Sequence, residues 1–399
     1  MPVANKSQAL EKQNQMKEIT NLQGRFGILG GGQLGKMLCQ AASSWHVDTF
    51  LMESTIKCPA AFIPHHFVEG DITKMEDVVD FGKHLDFLTI EIENVSIEGL
   101  QALEEKGVNV YPTAKTLNLI KDKAIQNDFY EEQEIASPPY KKYGDIASIR
   151  EAISNAEIAF PFVQKLRTDG YDGRGVQIIR SKEDLNKLLT GKSIVEEAID
   201  IKKELAMVVA RSKKGEIKTY DPVEMVFHPE ANLVEFLQSP AEISQSITKE
   251  MVSISEKIIS ALGHSGILAI EFFLDNEEKL WVNEMAPRPH NSGHHTIEAC
   301  SCSQYEQLIR AILNLPLGDT ELNKAAVMIN LLGEEGYQGV PVIEGLEEVM
   351  QTPGAHLHWY GKKQTRPHRK MGHITFTADK LEEARKKANR LRQIVKVKS

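Results

Sequence analysis

"GILAIEFFLDNEEKLWVNEMAPRPHNSGHH", residues 266–295, reads as two apolar runs joined by a charged turn and followed by prolines, histidines and an arginine. Apolar runs flanking a short polar stretch are the pattern of a β-hairpin. Counting outward from a turn at Glu277–Glu278 sets Glu271 opposite Glu284, which puts their Cβ atoms about 5 Å apart on one face. Facing carboxylates in apolar strands repel unless a cation lies between them. An all-oxygen donor pair of this kind points to magnesium, with manganese as the second choice. Directly after the second acid, Arg288, His290 and Asn291 make a donor-rich cluster suited to a small planar anion beside the metal. Pro287 and Pro289 stiffen it.

Two glycine-rich stretches lie upstream. In "KLRTDGYDGRGV", residues 165–176, Gly170, Gly173 and Gly175 fall between two β-like runs. Such a hairpin tip can move and can offer bare backbone N–H groups to phosphate, while Lys165 and Arg174 add charge. The plainer reading is a glycine-rich surface hairpin. In "RFGILGGGQLGKM", residues 25–37, Gly30, Gly32 and Gly35 have the G-x-G-x-x-G spacing and Glu53 ends the next strand-like run. That combination fits a nicotinamide dinucleotide. It equally fits any tight strand-to-helix turn whose helix N-terminus faces another anion, and the segment alone leaves both readings open.

At 399 residues, 41% apolar and 26% charged, the chain is expected to form two or three domains. No run approaches the roughly 20 apolar residues of a membrane span. Residues 1–20 are polar without an apolar h-region, which predicts a polar extension and not a secretory signal. A net charge of −9 argues against general nucleic-acid binding but allows local basic clusters for small anions. Cys39, Cys58, Cys300 and Cys302 fit neither a zinc ribbon nor a disulfide framework, so a reduced, cytoplasmic protein is expected. Strand-like runs at 25–29, 47–52 and 85–92 alternate with helical patterns at 33–43 and 75–83, the signature of a parallel α/β domain. A proline turn near residues 108–122 marks a boundary. A small α+β unit follows, and strands return after residue 194.

Taken in order, Lys165, GYDGRG at 170–175, VEEA at 195–198, Glu204, Glu271, Glu284, APRPHNSGH from Ala286, AVMINLLG at 326–333, HLHWYGK at 356–362 and RKMGHIT at 369–375 resemble the ATP-grasp superfamily. Within it the set is most similar to the 5-(carboxyamino)imidazole ribonucleotide synthetase family of purine biosynthesis, from about residue 24 to 376. The resemblance implies an ATP-grasp fold, α/β and α+β, behind an N-terminal Rossmann-like parallel-sheet domain. Expected divisions are a polar extension (1–20), a substrate-binding domain (21–120), a small lid domain with the glycine hairpin (121–195) and a C-terminal domain with the metal and bicarbonate sites (196–399). The implied reaction is ATP- and bicarbonate-dependent carboxylation of the amine of 5-aminoimidazole ribonucleotide through carboxyphosphate, with magnesium as cofactor.

By the same resemblance, Lys123 and Lys165 touch ATP phosphates under the hairpin glycines Gly170, Gly173 and Gly175. Glu196, Glu197, Ala198 and Ile199 form the hinge that reads adenine, and Glu204 holds the ribose hydroxyls. Gly32, Gln33 and Glu91 belong to the ribonucleotide site. Lys362, Arg369 and Lys370 receive its phosphate, with Lys370 also counted among the catalytic residues. Arg288, His290 and Asn291 hold bicarbonate, Asp172 accepts the amine proton, and Tyr171 and Arg174 position the substrate. A homodimer and a mutase acting on the product are further implied. Asp169 stands where relatives have glycine, and Ala286 stands where many ATP-grasp enzymes have asparagine two residues after the second metal acid. Two other readings remain: a formate-dependent glycinamide ribonucleotide transformylase of the same fold, and a non-catalytic nucleotide sensor.

Overall fold

The computed structural model describes residues 21–168, 175–227 and 234–399. The apolar run before the first glycines is strand β1 (Phe26–Leu29), buried along its whole length. With β2 (Thr49–Glu53), β3 (His66–Glu69), β4 (Phe87–Ile90) and β5 (Asn109–Tyr111) it forms a parallel sheet in the order β3-β2-β1-β4-β5, half of a doubly wound arrangement. Helices α1 (Gln33–Ser43), α2 (Met75–Gly82) and α3 (Ile97–Glu105) are its crossovers.

The turn from β1 into α1 shows what the glycines serve. Glu91, one residue past β4 and 9% exposed, accepts hydrogen bonds from the N–H groups of Gly32 (2.9 Å), Leu34 (3.1 Å) and Gly35 (3.0 Å). A carboxylate of the protein thus fills the anion position at the N-terminus of α1. A side chain at Gly32 would put its Cβ 2.5 Å from Glu91 Oε1, and one at Gly35 would meet the Gly30 carbonyl oxygen at 2.5 Å. The expected ribose acid, Glu53, accepts from the Gly31 N–H at 2.9 Å. Both acids are therefore engaged in building the turn, which removes the physical basis of the dinucleotide reading.

After α4 (Ala114–Lys121) and α5 (Lys123–Glu132), strands β6 (Tyr140–Tyr143), β7 (Phe162–Leu166), β8 (Val176–Ile179) and β9 (Ser193–Glu197) make an antiparallel sheet ordered β6-β9-β7-β8. Helix α6 (Ile146–Ser154) packs Ile149 against Phe162 and Val195 of this sheet.

Among the described residues the large sheet has nine strands. They comprise β10 (Ile201–Arg211), β11 (Ile217–Thr219), β12 (Val223–Phe227), β13 (Val234–Ser239), β14 (Gly266–Asp275), β15 (Leu280–Ala286), β16 (Ala325–Leu332) and, after β17 (Val342–Glu344), β18 (Ala355–Trp359) and β19 (Lys370–Ala378). β17 pairs instead with the terminal β20 (Lys396–Lys398).

Alternation along β10 and β14 sends Leu205, Met207, Val209, Leu268, Ile270 and Phe272 into a core with α7 (Gln245–Ala261). Glu204, Ala206 and Glu271, with Ala206 paired to Glu271, share the opposite face. Beyond the short α8 (Thr296–Ala299), helix α9 (Gln304–Ile312) packs Leu308, Ile309 and Ile312 with Leu34, Met37 and Leu38 of α1. One apolar core therefore ties the parallel domain to the large sheet. Removing the Glu91 carboxylate should strand three N–H donors at the start of α1. Glu91→Ala is expected to lose about 3 kcal/mol, read as a lower urea midpoint against wild type.

Candidate active site

The hairpin that sets the two acids opposite each other does so by a different route from a simple two-residue turn. Its turn spans Asn276–Glu278, with Glu278 left-handed (φ 63°) and Asp275 N–H donating to Lys279 O. The outer strands pair Leu274 with Leu280 and Phe272 with Val282, one residue out of the expected register. A bulge at Asn283 then restores it, so that Glu271 faces Glu284. A bulge sets two residues against one, and Asn283 joins the acids. Its Oδ1 accepts from Lys165 Nζ at 2.9 Å and its Nδ2 lies 3.4 Å from Glu271 Oε2.

Cations already flank these groups. Lys123 Nζ donates to Glu284 Oε2 at 2.5 Å, and Lys165, 7% exposed, pairs with the buried Glu196 at 2.7 Å. Burial, then the charges of Glu284 and Glu204, push the Glu271 carboxyl up. The Lys123 ammonium, against burial, pulls Glu284 down. For Lys123, burial opposes the charge, but Glu284, Glu196 and Glu271 outweigh it and its pKa rises. The Glu196 carboxylate is thus the counter-ion of Lys165, so of Glu196 only the backbone is left for the expected adenine contact. Lys123 is fixed by the neighbouring Asp122, which caps α5 and binds the Arg167 guanidinium at 2.9 and 2.5 Å, and by its own N–H to the Arg167 carbonyl.

The proline–histidine segment closes one side. His290 Nε2 lies 3.6 Å from Glu271 Oε1, and its Nδ1 is 2.9 Å from Ser292 Oγ. Arg288 forms an ion pair at 2.8 Å with Glu93, in the loop beyond Glu91. The Asn291 amide nitrogen is shielded from solvent and finds no acceptor among the described residues, which fits a donor awaiting an anion.

The basic set lies at the seam with α1. Lys362 Nζ donates to the Lys370 carbonyl at 2.7 Å, and Arg369 to that of Gln364 at 2.8 Å. Lys370 is near enough to His294 to help depress it, after burial and the charges of His358 and His290. Lys36 of α1 donates to the carbonyls of Trp359 (2.7 Å) and Tyr360 (3.4 Å), beside a cavity of about 150 Å³ also lined by Gln40 and His358. Burial lowers its pKa. Under the segment, His373 stacks between His294 (4.6 Å) and His358 (4.4 Å), and His358 binds Glu298 at 2.5 Å. These histidines pack; among the described residues no group of three or more His, Cys, Asp and Glu could hold a metal.

Of the sequence-derived site residues, Gly170, Tyr171, Asp172, Gly173 and Arg174 lie outside the described residues, as does Asp169. Gly175 is left-handed (φ 76°) and its carbonyl accepts from Leu166 N–H at 2.8 Å, at the base of that hairpin. Gly32 has its N–H engaged by Glu91, and Gln33 opens α1. Asn283, Glu93 and Lys36 were not anticipated. Asn283 alone carried a signal, as a polar residue in an apolar strand beside an acid.

Comparison with known proteins agrees with this geometry. Three family models match in order: a ribonucleotide synthetase preATP-grasp domain over 24–121, an ATP-grasp domain over 128–305 and a phosphoribosylaminoimidazole carboxylase C-terminal domain over 326–387. The chain is 34% identical over 355 residues to the N5-carboxyaminoimidazole ribonucleotide synthase of Synechococcus elongatus, covering 88% of each. It is 36% identical to the chloroplastic phosphoribosylaminoimidazole carboxylase of Vigna aconitifolia, covering 89% of this chain but only 64% of the plant protein. The structure superposes on the Thermotoga maritima N5-carboxyaminoimidazole ribonucleotide synthetase with a TM-score of 0.86 at 41% identity, covering 94% of this chain and 99% of that one. A structure of the Aspergillus clavatus synthase with ADP and 5-aminoimidazole ribonucleotide matches with a TM-score of 0.85 at 27% identity, covering 94% and 99%. The chain belongs to the N5-carboxyaminoimidazole ribonucleotide synthase family of ATP-grasp ligases.

Burial raises the Glu204 carboxyl to about 7. The role that the resemblance implies for Glu204, accepting from two ribose hydroxyls, needs the ionised form, which is present above that pH. ADP affinity relative to Glu204→Gln should therefore rise between about pH 6 and about pH 8, a comparison that cancels the ligand's own titration. The sign reverses for the ligand-free fold, where ionising a buried carboxylate costs stability from the ordinary carboxylate range up through 7. Glu204→Gln should gain urea resistance relative to wild type at the higher pH.

Proposed function

We propose that this chain uses ATP and bicarbonate to carboxylate the exocyclic amine of 5-aminoimidazole ribonucleotide, releasing ADP and phosphate, in purine biosynthesis. The observation that carries the reading is the 3.6 Å approach of His290 to Glu271, which puts an anion-holding segment against a phosphate-handling acid pair. A phosphoryl donor and its acceptor then meet in one site.

The donor set fits a divalent cation: two facing carboxylates and an amide oxygen, all hard ligands, two of them already matched by ammonium groups. Glu271 and Glu284 would hold magnesium or manganese, which supplies charge neutralisation on phosphate oxygens. Lys123, whose partner Glu284 would turn to the cation, and Lys165, which stays beside Glu196, face the phosphates of ATP, and the hinge at 196–199 with Glu204 seats the nucleoside. Arg288, His290 and Asn291 orient bicarbonate in line with the γ-phosphorus. Its oxygen forms the new P–O bond as the bond to ADP breaks, giving carboxyphosphate. The substrate amine then attacks the carboxyl carbon, phosphate leaves with the P–O bond intact, and the amine proton passes to Asp172. Tyr171 and Arg174 orient the ring; Lys362, Arg369 and Lys370 bind the ribonucleotide phosphate. Gln33 adds a contact at the turn that Gly32 and Glu91 shape. The assembly is assigned as a homodimer in the cytoplasm, with a mutase consuming the product.

ADP release with bicarbonate should depend on 5-aminoimidazole ribonucleotide and should not be supported by formate with glycinamide ribonucleotide. Loss of that dependence, with formate effective, would transfer the chain to the transformylase reading, and no turnover with either would favour a sensor. Asp172→Asn should lower carboxylation about 10²- to 10⁴-fold while nucleotide affinity stays within about twofold of wild type, since no ATP contact is removed.

A further inference from the structure

The side chain of Gln304, fully buried at the start of α9, is committed to the backbone of a candidate bicarbonate residue. Its Oε1 accepts from His290 N–H at 2.9 Å, and its Nε2 donates to the His290 carbonyl at 2.8 Å. One planar amide thus holds both polar groups of a single residue, as a neighbouring β-strand would. Nε2 also lies 3.3 Å from His294 Nδ1. Gln304 is itself anchored, its N–H donating to Thr296 Oγ1 (2.9 Å) while that hydroxyl donates to the Gly293 carbonyl (2.6 Å). A Cβ at Gly293 would stand 2.4 Å from Gln304 Oε1, so the glycine of the "NSG" turn leaves room for this amide.

We propose that Gln304 is the positioning residue that fixes His290, and with it the bicarbonate-holding segment, against Glu271. This rests on the functional reading above. The logic is geometric. His290 follows Pro289 and precedes a single 3-10 turn, Asn291–Gly293, whose Gly293 N–H also donates to the His290 carbonyl at 3.0 Å; the glutamine adds the bond to the His290 N–H and a second bond to its carbonyl. The effect is expected first on bicarbonate, because the Gln304 side chain bonds directly to His290 and lies beside His294, on the side away from Lys123, Glu196 and Glu204 in the contact chain.

One turn along α9, Gln307 provides a matched control. It too is fully buried and holds one residue's backbone at both ends, accepting from Gly318 N–H (2.7 Å) and donating to Gly318 O (3.0 Å). That loop carries none of the candidate site residues. The test is ADP release by the full chain with ATP, 5-aminoimidazole ribonucleotide and varied bicarbonate, for wild type, Gln304→Met, Gln304→Glu, Gly293→Ala and Gln307→Met, with urea midpoints alongside. Gln304→Glu keeps an acceptor for the N–H and loses the donor to the carbonyl. Gly293→Ala displaces the amide from the other side, and these two carry the test where Gln304→Met does not fold. The expected result is a KM for bicarbonate raised about tenfold in each Gln304 and Gly293 variant, with the KM for ATP within about twofold of wild type. Gln307→Met should lower the urea midpoint and leave both KM values in place. An unchanged KM for bicarbonate in Gln304→Glu and Gly293→Ala, or an equal rise in Gln307→Met, would overturn the assignment. Wild-type turnover that ignores bicarbonate would overturn the functional reading as well, which separates the two failures.

Discussion

Two carboxylates, Glu271 and Glu284, are held face to face at the edge of a nine-stranded sheet, and everything around them answers the repulsion this creates. Lys123 neutralises one directly. Asn283, thrown onto the same face by a bulge, ties the other to Lys165. Glu271 and Glu284 would hold a divalent cation in the proposed reaction, and Lys123, which now neutralises Glu284, would then be available to phosphate oxygens. Such preorganised charge is where enzymes gain most of their electrostatic stabilisation.

The second constraint is the glycine turn of the parallel domain, where a protein carboxylate sits in the place a dinucleotide phosphate takes elsewhere. Glu91 satisfies the start of α1, and its loop continues to Glu93, the ion-pair partner of Arg288. The turn therefore helps to hold the Arg288–Asn291 segment from one side, while the histidine stack supports it from the other. Lys36, on the same helix, holds the carbonyls just before Lys362. Helix α1 in this way joins the glycine turn to the basic set through a shared core, although the two lie more than 300 residues apart in sequence.

Much of this was legible in the sequence. Hydrophobic period placed α1 at its observed bounds and β1 within one residue, because strong periodicity and a glycine stop are local signals. The facing of Glu271 and Glu284 was also legible, but through two offsetting departures, a three-residue turn and a bulge, that leave no periodic trace. The ligand of the first glycine motif was not legible from its own residues, since spacing reports a helix N-terminus and not which anion fills it. Glu91, 56 residues beyond Gly35, supplied that answer only in three dimensions. The roles of Glu93 and Lys36, and the contact of Asn283 with Lys165, likewise arise between distant segments, which no window of sequence contains.

The central claim is that bicarbonate is phosphorylated where His290 meets Glu271. It is tested most directly by following oxygen-18 from labelled bicarbonate during turnover with ATP and 5-aminoimidazole ribonucleotide. The account predicts that a labelled oxygen appears in the released phosphate, because the oxygen that attacks the γ-phosphorus leaves with it. Phosphate free of label, formed alongside carboxylated product, would contradict it.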